Sequence, residues 1–333
     1  MSAPILPASP AAITRSCALL REGFLVAFPT ETVYGLGANA SDSDAVRRIF
    51  EAKGRPVDHP VIVHLASPRD MERWARVVPD DALKLARAFW PGPLTMILPR
   101  AGHVSDAVTG GQDSVGLRVP SHPIARALLT EFGDGIAAPS ANRFGHVSAT
   151  TAQHVAQDLG NAVSLILDGG ESDVGIESTI VSLCSSTAMV LRPGYIGVEA
   201  LTDTLGYVPR TLTASSEAPR APGTLAAHYA PHAPAWLVAA HAVRAECERL
   251  MDRDERVGVL ARTSGRPEDF DGVWISAPHQ AAAYAHALYA NLRALDAAAV
   301  DVILIERVPD DPQWHAIGDR LSRAVRGELD DVD

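Results

Sequence analysis

Lys53 and Arg55 flank a single glycine in the run Lys53-Gly54-Arg55-Pro56. Two cations on one turn can converge on a polyphosphate, the arginine as a planar fork and the lysine as a point charge. The same pair can equally do no more than complement a helix dipole, because Lys53 closes a helical pattern. Ser140 and Asn142 stand in Ala138-Pro139-Ser140-Ala141-Asn142, just after an apolar run, with Ser148 further along. Their hydroxyls and amide suit phosphate or ribose oxygens, although such residues also build turns without any ligand. Thr32 lies in Phe28-Pro29-Thr30-Glu31-Thr32-Val33-Tyr34-Gly35-Leu36-Gly37, where two glycines let a loop fold tightly. Ser114 and Arg118 bracket an alternating run containing Val115, Leu117 and Val119. A buried arginine in such a run needs a carboxylate, which either a substrate or the protein itself could supply. His64 sits in the apolar run Val61–Leu65, where a packed neutral imidazole is the commoner outcome, and His59 precedes it. Glu177-Ser178-Thr179 and Arg192-Pro193-Gly194 border further apolar runs, and each alone reads as turn chemistry.

Together these residues are the inventory of a nucleotide-phosphate site. The chain has no Gly-rich Lys-Ser/Thr phosphate loop, no dinucleotide glycine fingerprint, no zinc-binding helix and no serine-hydrolase elbow. A nucleotide bound here therefore needs a less common fold.

The elements that must position these groups alternate in type. Ser9-Pro10 starts a helix that Gly23 stops, and Phe24–Phe28 is a strand running into the Pro29–Gly37 loop. A helix over about 44–53 turns Val46, Ile49 and Phe50 inward and ends at Gly54, with Pro56 forbidding continuation. Strands follow at Val61–Leu65, Leu94–Leu98, Val115–Val119, Ile136–Ala138, Leu165–Leu167 and Ile180–Leu183. Helices near 80–90, 124–132, 151–159 and 198–205 lie among them. Several connections are too short for parallel crossovers, so the expected sheet is mixed. From Val208 to Pro234 five prolines interrupt Ser, Thr and Ala, a poor core and a good linker. Alternation then resumes to the end of the chain. The expected organisation is a catalytic domain over 1–207, a linker over 208–234 and a smaller α/β, Rossmann-like domain over 235–333.

A chain of 333 residues has room for two such domains, and 47% hydrophobic with 21% charged residues is ordinary for a globular protein. The net charge of −11 argues against a broad nucleic-acid surface, so no stable nucleic-acid-binding face is expected. No apolar run reaches the roughly 18 residues that span a bilayer, and Met1–Ala12 lacks the pattern of a secretory signal. These features lead us to expect a cytoplasmic protein without membrane contact. Cys17, Cys184 and Cys247 are scattered without metal-like spacing and read as small buried hydrophobes.

The order of the motifs resembles one enzyme family, the YrdC-like threonylcarbamoyl-adenylate synthases. The resemblance rests on Pro29–Leu36, Lys53–Pro56, Trp90-Pro91-Gly92-Pro93-Leu94-Thr95, Arg118-Val119-Pro120, Ala138–Asn142, Glu177–Thr179 and Leu191-Arg192-Pro193-Gly194, over about residues 10–207. His228-Tyr229-Ala230-Pro231 and Ile317-Gly318-Asp319-Arg320-Leu321 resemble the longer, two-domain form. The resemblance implies a YrdC-like mixed, twisted sheet with flanking helices. It implies synthesis of threonylcarbamoyl-AMP and pyrophosphate from L-threonine, bicarbonate and ATP with Mg²⁺, and a separate enzyme that passes the product to tRNA. It further implies that Lys53 and Arg55 are catalytic. Arg55, His59, Ser114, Ser140, Asn142, Ser148, Arg192 and Tyr229 would surround ATP. Thr32, His64, Arg118, Ala138 and Ser178 would surround L-threonine, with Arg118 on its carboxylate and Tyr229 on a linker that closes as a lid. Two positions depart from the family pattern: His59 stands where Asn is frequent, and Thr224 where Met often follows the linker glycine. Two rivals differ in class. A nucleic-acid-binding module is opposed by the acidic balance, and a hydrogenase-maturation carbamoyl-adenylating protein by the lack of cysteine-rich zinc segments.

Overall fold

Ser9 accepts a hydrogen bond from the Ala12 amide and caps the first long helix, Pro10–Arg21, as the Ser-Pro signal predicts. The second, Ser43–Lys53, is capped by Asp42 and stops where Gly54 turns left-handed at φ 63°. These local stops matter because they place Lys53 at a helix end, facing the loops that follow the strands. The computed structural model describes residues 3–212, 218–224 and 228–329. The stretches 213–217 and 225–227 of the expected linker, and 330–333 of the expected C-terminal domain, lie outside the described residues.

The chain forms two units. One runs to Thr224 except for Gly145–Val147, and the other comprises those three residues with the remainder of the chain. The division falls within the 208–234 segment. In the first unit an eleven-stranded mixed sheet has the order Ile5–Pro7, Leu165–Asp168, Val26–Phe28, Gly35–Asn39, Ile136–Ala137, Ile62–His64, Ser114–Arg118, Leu94–Pro99, Thr179–Ser182, Met189–Arg192, Arg210–Thr211. Val26–Phe28 pairs antiparallel with Gly35–Asn39, so the expected Pro29–Gly37 loop ends early. Its two glycines belong to a strand, and Gly37 has no room for a side chain: a Cβ there would lie 2.9 Å from Phe28 and 3.0 Å from the Val26 carbonyl oxygen. The edge strands Ile5–Pro7 and Arg210–Thr211 carry too little period to be read from sequence. The main core lies on one face of this sheet, built on Leu36, Val63, Met96, Leu98, Val115, Leu117 and Val181.

The second unit has a five-stranded, all-parallel sheet in the order Val273–Ser276, Val257–Ala261, Val302–Glu306, Ala235–Val238, Gly327–Leu329. Its long helix, Ala281–Ala297, turns Leu288, Leu292 and Leu295 inward. Cys17 and Cys247 are buried, but Cys184 is exposed, so the cysteine expectation holds for two of the three. Among the described residues no helix is long and apolar enough to cross a membrane.

Candidate active site

Ile62–His64, Ser114–Arg118 and Leu94–Pro99 are neighbouring strands of the first unit. Successive residues of a strand face opposite sides of the sheet. Val63, Val115, Leu117, Met96 and Leu98 enter the main core. Ser114, Gly116 and Arg118 therefore line the other face, in register with Ile62 and His64 on one flank and Ile97 on the other. A Cβ on Gly116 would meet Ile62 and Thr95 carbons at 3.5 and 3.6 Å. The bare glycine thus leaves the middle of a trough open between Ser114 and Arg118.

At one end of this trough Arg118 is held on two sides. Its Nη1 donates to Thr32 Oγ1 at 2.9 Å, and its Nη2 lies 2.7 Å from Glu31 Oε1. Thr32 is fixed in turn by Thr30, which also donates to the Val33 carbonyl at 2.6 Å. Arg118, Glu31 and Thr32 are all buried. The arginine partner anticipated from the strand pattern is thus internal in this structure. His64 pairs with Arg118 across the parallel ladder. Burial first, and then the Arg118 guanidinium, push its imidazole down to about 3, so it is neutral. Ala138 lies alongside, its amide donating to the Ile62 carbonyl at 2.9 Å.

Lys53, Ser140 and Asn142 come together as the sequence suggested. The Lys53 ammonium is buried and donates to the Ser140 and Asn142 carbonyls at 2.6 and 2.5 Å. Burial, then the nearby Arg55 charge, hold that ammonium well below the usual lysine range, while Asp158 and Glu177 act the other way. Arg55 is buried, donates to the Pro60 carbonyl at 2.8 Å, and lies 5.8 Å from the Phe144 ring. His59 meets the same ring edge-on at 5.6 Å, and burial with the Arg55 charge lowers its pKa. Ser148 is fully buried and donates to Glu177 at 2.5 Å.

Ser178 meets Thr95 at 2.8 Å, and Arg192 donates to the Ser178 carbonyl from both Nε and Nη2. The remaining Arg192 nitrogen, Nη1, donates to the Pro222 carbonyl at 2.9 Å, so part of the linker folds back over this unit. Pro222 and Arg220 line a small cleft with Pro60, Ile62, Gln112 and Ser114. Tyr229 belongs to the second unit. It is buried there with a left-handed φ of 63°, 5.8 Å from the Tyr289 ring and under the Arg320 guanidinium.

Glu31, Thr95, Gly116, Phe144 and Glu177 escaped selection from sequence. Glu31 stood between two threonines already noted, and strand alternation from Ser114 to Arg118 would have exposed Gly116. Among the described residues no group of three or more His, Cys, Asp or Glu could hold a metal ion. Hydroxyls and fixed cations are groups that hold phosphate oxygens rather than a metal ion directly.

The profile of the Sua5/YciO/YrdC family, described as "Telomere recombination", matches residues 18–194. A second, for the threonylcarbamoyl-AMP synthase C-terminal domain, matches residues 196–325. The threonylcarbamoyl-AMP synthase of Pyrococcus abyssi is 42% identical over 314 residues, covering 92% of this chain and 91% of that one. The Bacillus subtilis protein of the same name is 41% identical over 325 residues, with coverages of 95% and 94%. The crystal structure of P. abyssi Sua5 complexed with L-threonine aligns with TM-score 0.88 at 38% identity, covering 96% of each chain.

Proposed function

The chain belongs to the Sua5/YciO/YrdC family, and from that membership we propose that it makes threonylcarbamoyl-AMP from L-threonine, bicarbonate and ATP, releasing pyrophosphate. The observation that carries the reading in the geometry is the trough. Ser114, Gly116 and Arg118 alternate along one sheet face, which supports reading Ser114 as the nucleotide end and Arg118 as the amino-acid end of one floor.

The threonine amine and bicarbonate give a carbamate with loss of water. A carbamate oxygen then bonds to the α-phosphorus as the bond to the β-phosphate oxygen breaks, and pyrophosphate leaves. This makes the enzyme a nucleotidyltransferase. No protein nucleophile is required, so catalysis is positioning and charge stabilisation. Lys53 and Arg55 spread the charge that develops on the phosphate, in a buried setting where fixed donors act strongly. Ser140, Asn142, Ser148, Ser114, His59 and Arg192 hold the nucleotide, and the assignment of Tyr229 to ATP rests on its family motif alone. Arg118 takes the threonine carboxylate, with Thr32, His64, Ala138 and Ser178 around it. Magnesium would arrive held by the ATP phosphates and would supply charge neutralisation there. Carbamates are labile in water, so the linker segment that covers the cleft serves to exclude solvent. We place the reaction in the cytoplasm, where a separate enzyme transfers the threonylcarbamoyl group to the adenosine beside the anticodon of tRNA.

The test is pyrophosphate release from Mg–ATP by the purified protein. Release should require L-threonine and bicarbonate together, and release indifferent to threonine rejects the assignment.

A further inference from the structure

Glu31 and Arg118 form a buried, charge-balanced pair at the floor of the trough, 2.7 Å apart, and each side chain is about 5% exposed. The contact is an ion pair rather than a well-aligned hydrogen bond. Neither Glu31 oxygen has a hydrogen-bond partner among the described residues, and the same holds for Arg118 Nε and Nη2 and for His64 Nδ1. Buried carboxylates normally accept several hydrogen bonds, so two oxygens that accept none, one of them only ion-paired, mark a place built for donors that arrive from outside.

Charge balance decides what those donors belong to. Arg118 is already neutralised by Glu31, and His64 adds no charge because its imidazole is neutral. A lone carboxylate entering beside Arg118 would leave the pocket with one unpaired negative charge in a poorly solvated setting, which is strongly unfavourable. A ligand that brings its own cation leaves the total at zero, provided the cation sits against Glu31. An α-amino acid zwitterion meets that condition, its carboxylate on Arg118 and its ammonium one carbon away.

We propose that Glu31 binds the substrate's α-ammonium group, so that the pocket selects zwitterionic amino acids over ligands carrying a single charge. This rests on the amino-acid end assigned above and adds to it the residue that reads the amine. Glu31 is then a specificity determinant that touches substrate. It also holds the nitrogen that must later be carboxylated, so its effect falls on threonine and not on ATP.

Calorimetric titration of the full chain with three ligands tests this. L-Threonine carries both charges, 2,3-dihydroxybutyrate lacks the ammonium, and L-threoninol lacks the carboxylate. The wild-type protein should bind threonine at least about tenfold more tightly than either analogue, the usual worth of a charged hydrogen bond. In Glu31→Gln the threonine affinity should fall about tenfold or more. Dihydroxybutyrate should bind more tightly than before, because Arg118 is then uncompensated, and ATP affinity should stay within about threefold. Equal binding of threonine and dihydroxybutyrate by the wild-type protein overturns the proposal without any variant, which covers the case of a poorly folding Glu31→Gln. An unchanged preference in a folded Glu31→Gln overturns it while leaving the activity intact. Failure of the wild-type protein to bind threonine at all removes the activity assignment and this inference with it.

Discussion

Lys53 Nζ lies 2.6 Å from the carbonyl oxygen of Ser140, so a buried ammonium is anchored on loop backbone rather than on a carboxylate. A lysine that merely finished a helix would extend into water. This one turns inward and takes up a second carbonyl, that of Asn142, at 2.5 Å. Its charge is thereby held at a fixed point among the residues proposed to handle the nucleotide. Lys53→Met keeps the stem and removes the charge, and should cost about 3–4 kcal/mol in the chemical step, as for loss of one preorganised donor. Arg55→Ala should cost a comparable amount and Ser140→Ala about 1 kcal/mol. The pH profile gives a second readout. The Lys53 pKa is lowered, so activity should decline on the alkaline side before the ordinary lysine value of 10.5 is reached. Near-wild-type turnover of Lys53→Met would return Lys53 to a helix-end role.

Arg118→Leu should raise the threonine KM and also destabilise the fold, because it strips Glu31 of its buried counter-ion. Breaking one side of a buried pair typically costs about 3–5 kcal/mol, whereas replacing both sides with apolar groups is often close to neutral. Denaturant unfolding of Arg118→Leu, Glu31→Leu and the double variant should show the double recovering most of the loss. Additive losses in the double variant would mean that the two charges do not sense each other.

His64 gives a stability signature whose sign is fixed by its environment. Its pKa is about 3 in the folded protein against 6.5 ordinarily, so between those values the unfolded chain binds the extra proton. Stability therefore falls as pH drops through that window, by at most about 1.4 kcal/mol per pH unit from this group. His64→Gln removes the contribution while keeping a polar side chain. Unfolding measured from pH 7 down to pH 5 should be less acid-sensitive in the variant. Parallel slopes for the two proteins would show that His64 is solvated and titrates normally.

What the sequence made legible follows from the range over which each signal acts. The helix Ser43–Lys53 was readable because its apolar stripe, Gly54 stop and following Pro56 lie within a dozen residues. Lys53 was therefore placed correctly at a helix end, whereas its meeting with Ser140 and Asn142 was implied only by the family resemblance. The strand character of Gly35–Asn39 was hidden because glycines have no strand preference of their own, and the neighbours that crowd them, Phe28, Ala138 and Ile136, come from other segments of the chain. The Glu31 partner of Arg118 was foreseen as a class and not as a residue. Nothing local distinguishes a carboxylate 87 positions away from one carried by a ligand, and the pairing exists only once the sheet brings both to one rim. Tyr229 was assigned through its motif alone, and its burial against Tyr289 depends on a helix sixty residues further on.

The linker prediction draws its magnitude from the contacts that hold Arg220. The Gln112 side chain accepts from the Arg220 amide at 2.6 Å and donates to the Arg220 carbonyl at 3.2 Å. The guanidinium adds a bond to the Gly110 carbonyl at 2.8 Å and an exposed pair with Asp58 at 3.2 Å. Ala221 is the small apolar contribution, packed with Ile62, Ile97 and Leu191. Net hydrogen bonds are worth about 1 kcal/mol each, and an exposed ion pair about 0–1. The latch is therefore worth only a few kcal/mol, which suits a segment proposed to close over the Ser114 cleft and to open for substrate. Gln112→Ala removes two of its bonds without touching a group that handles phosphate. It should raise the rate of proteolytic cleavage between Val208 and Pro234 in the empty protein several-fold and raise the ATP KM. Saturating ATP with threonine should protect the segment in both proteins. Cleavage that neither the substitution nor the ligands alter would make the segment a spacer, and the exclusion of water would then have to come from the strands and loops of the trough itself.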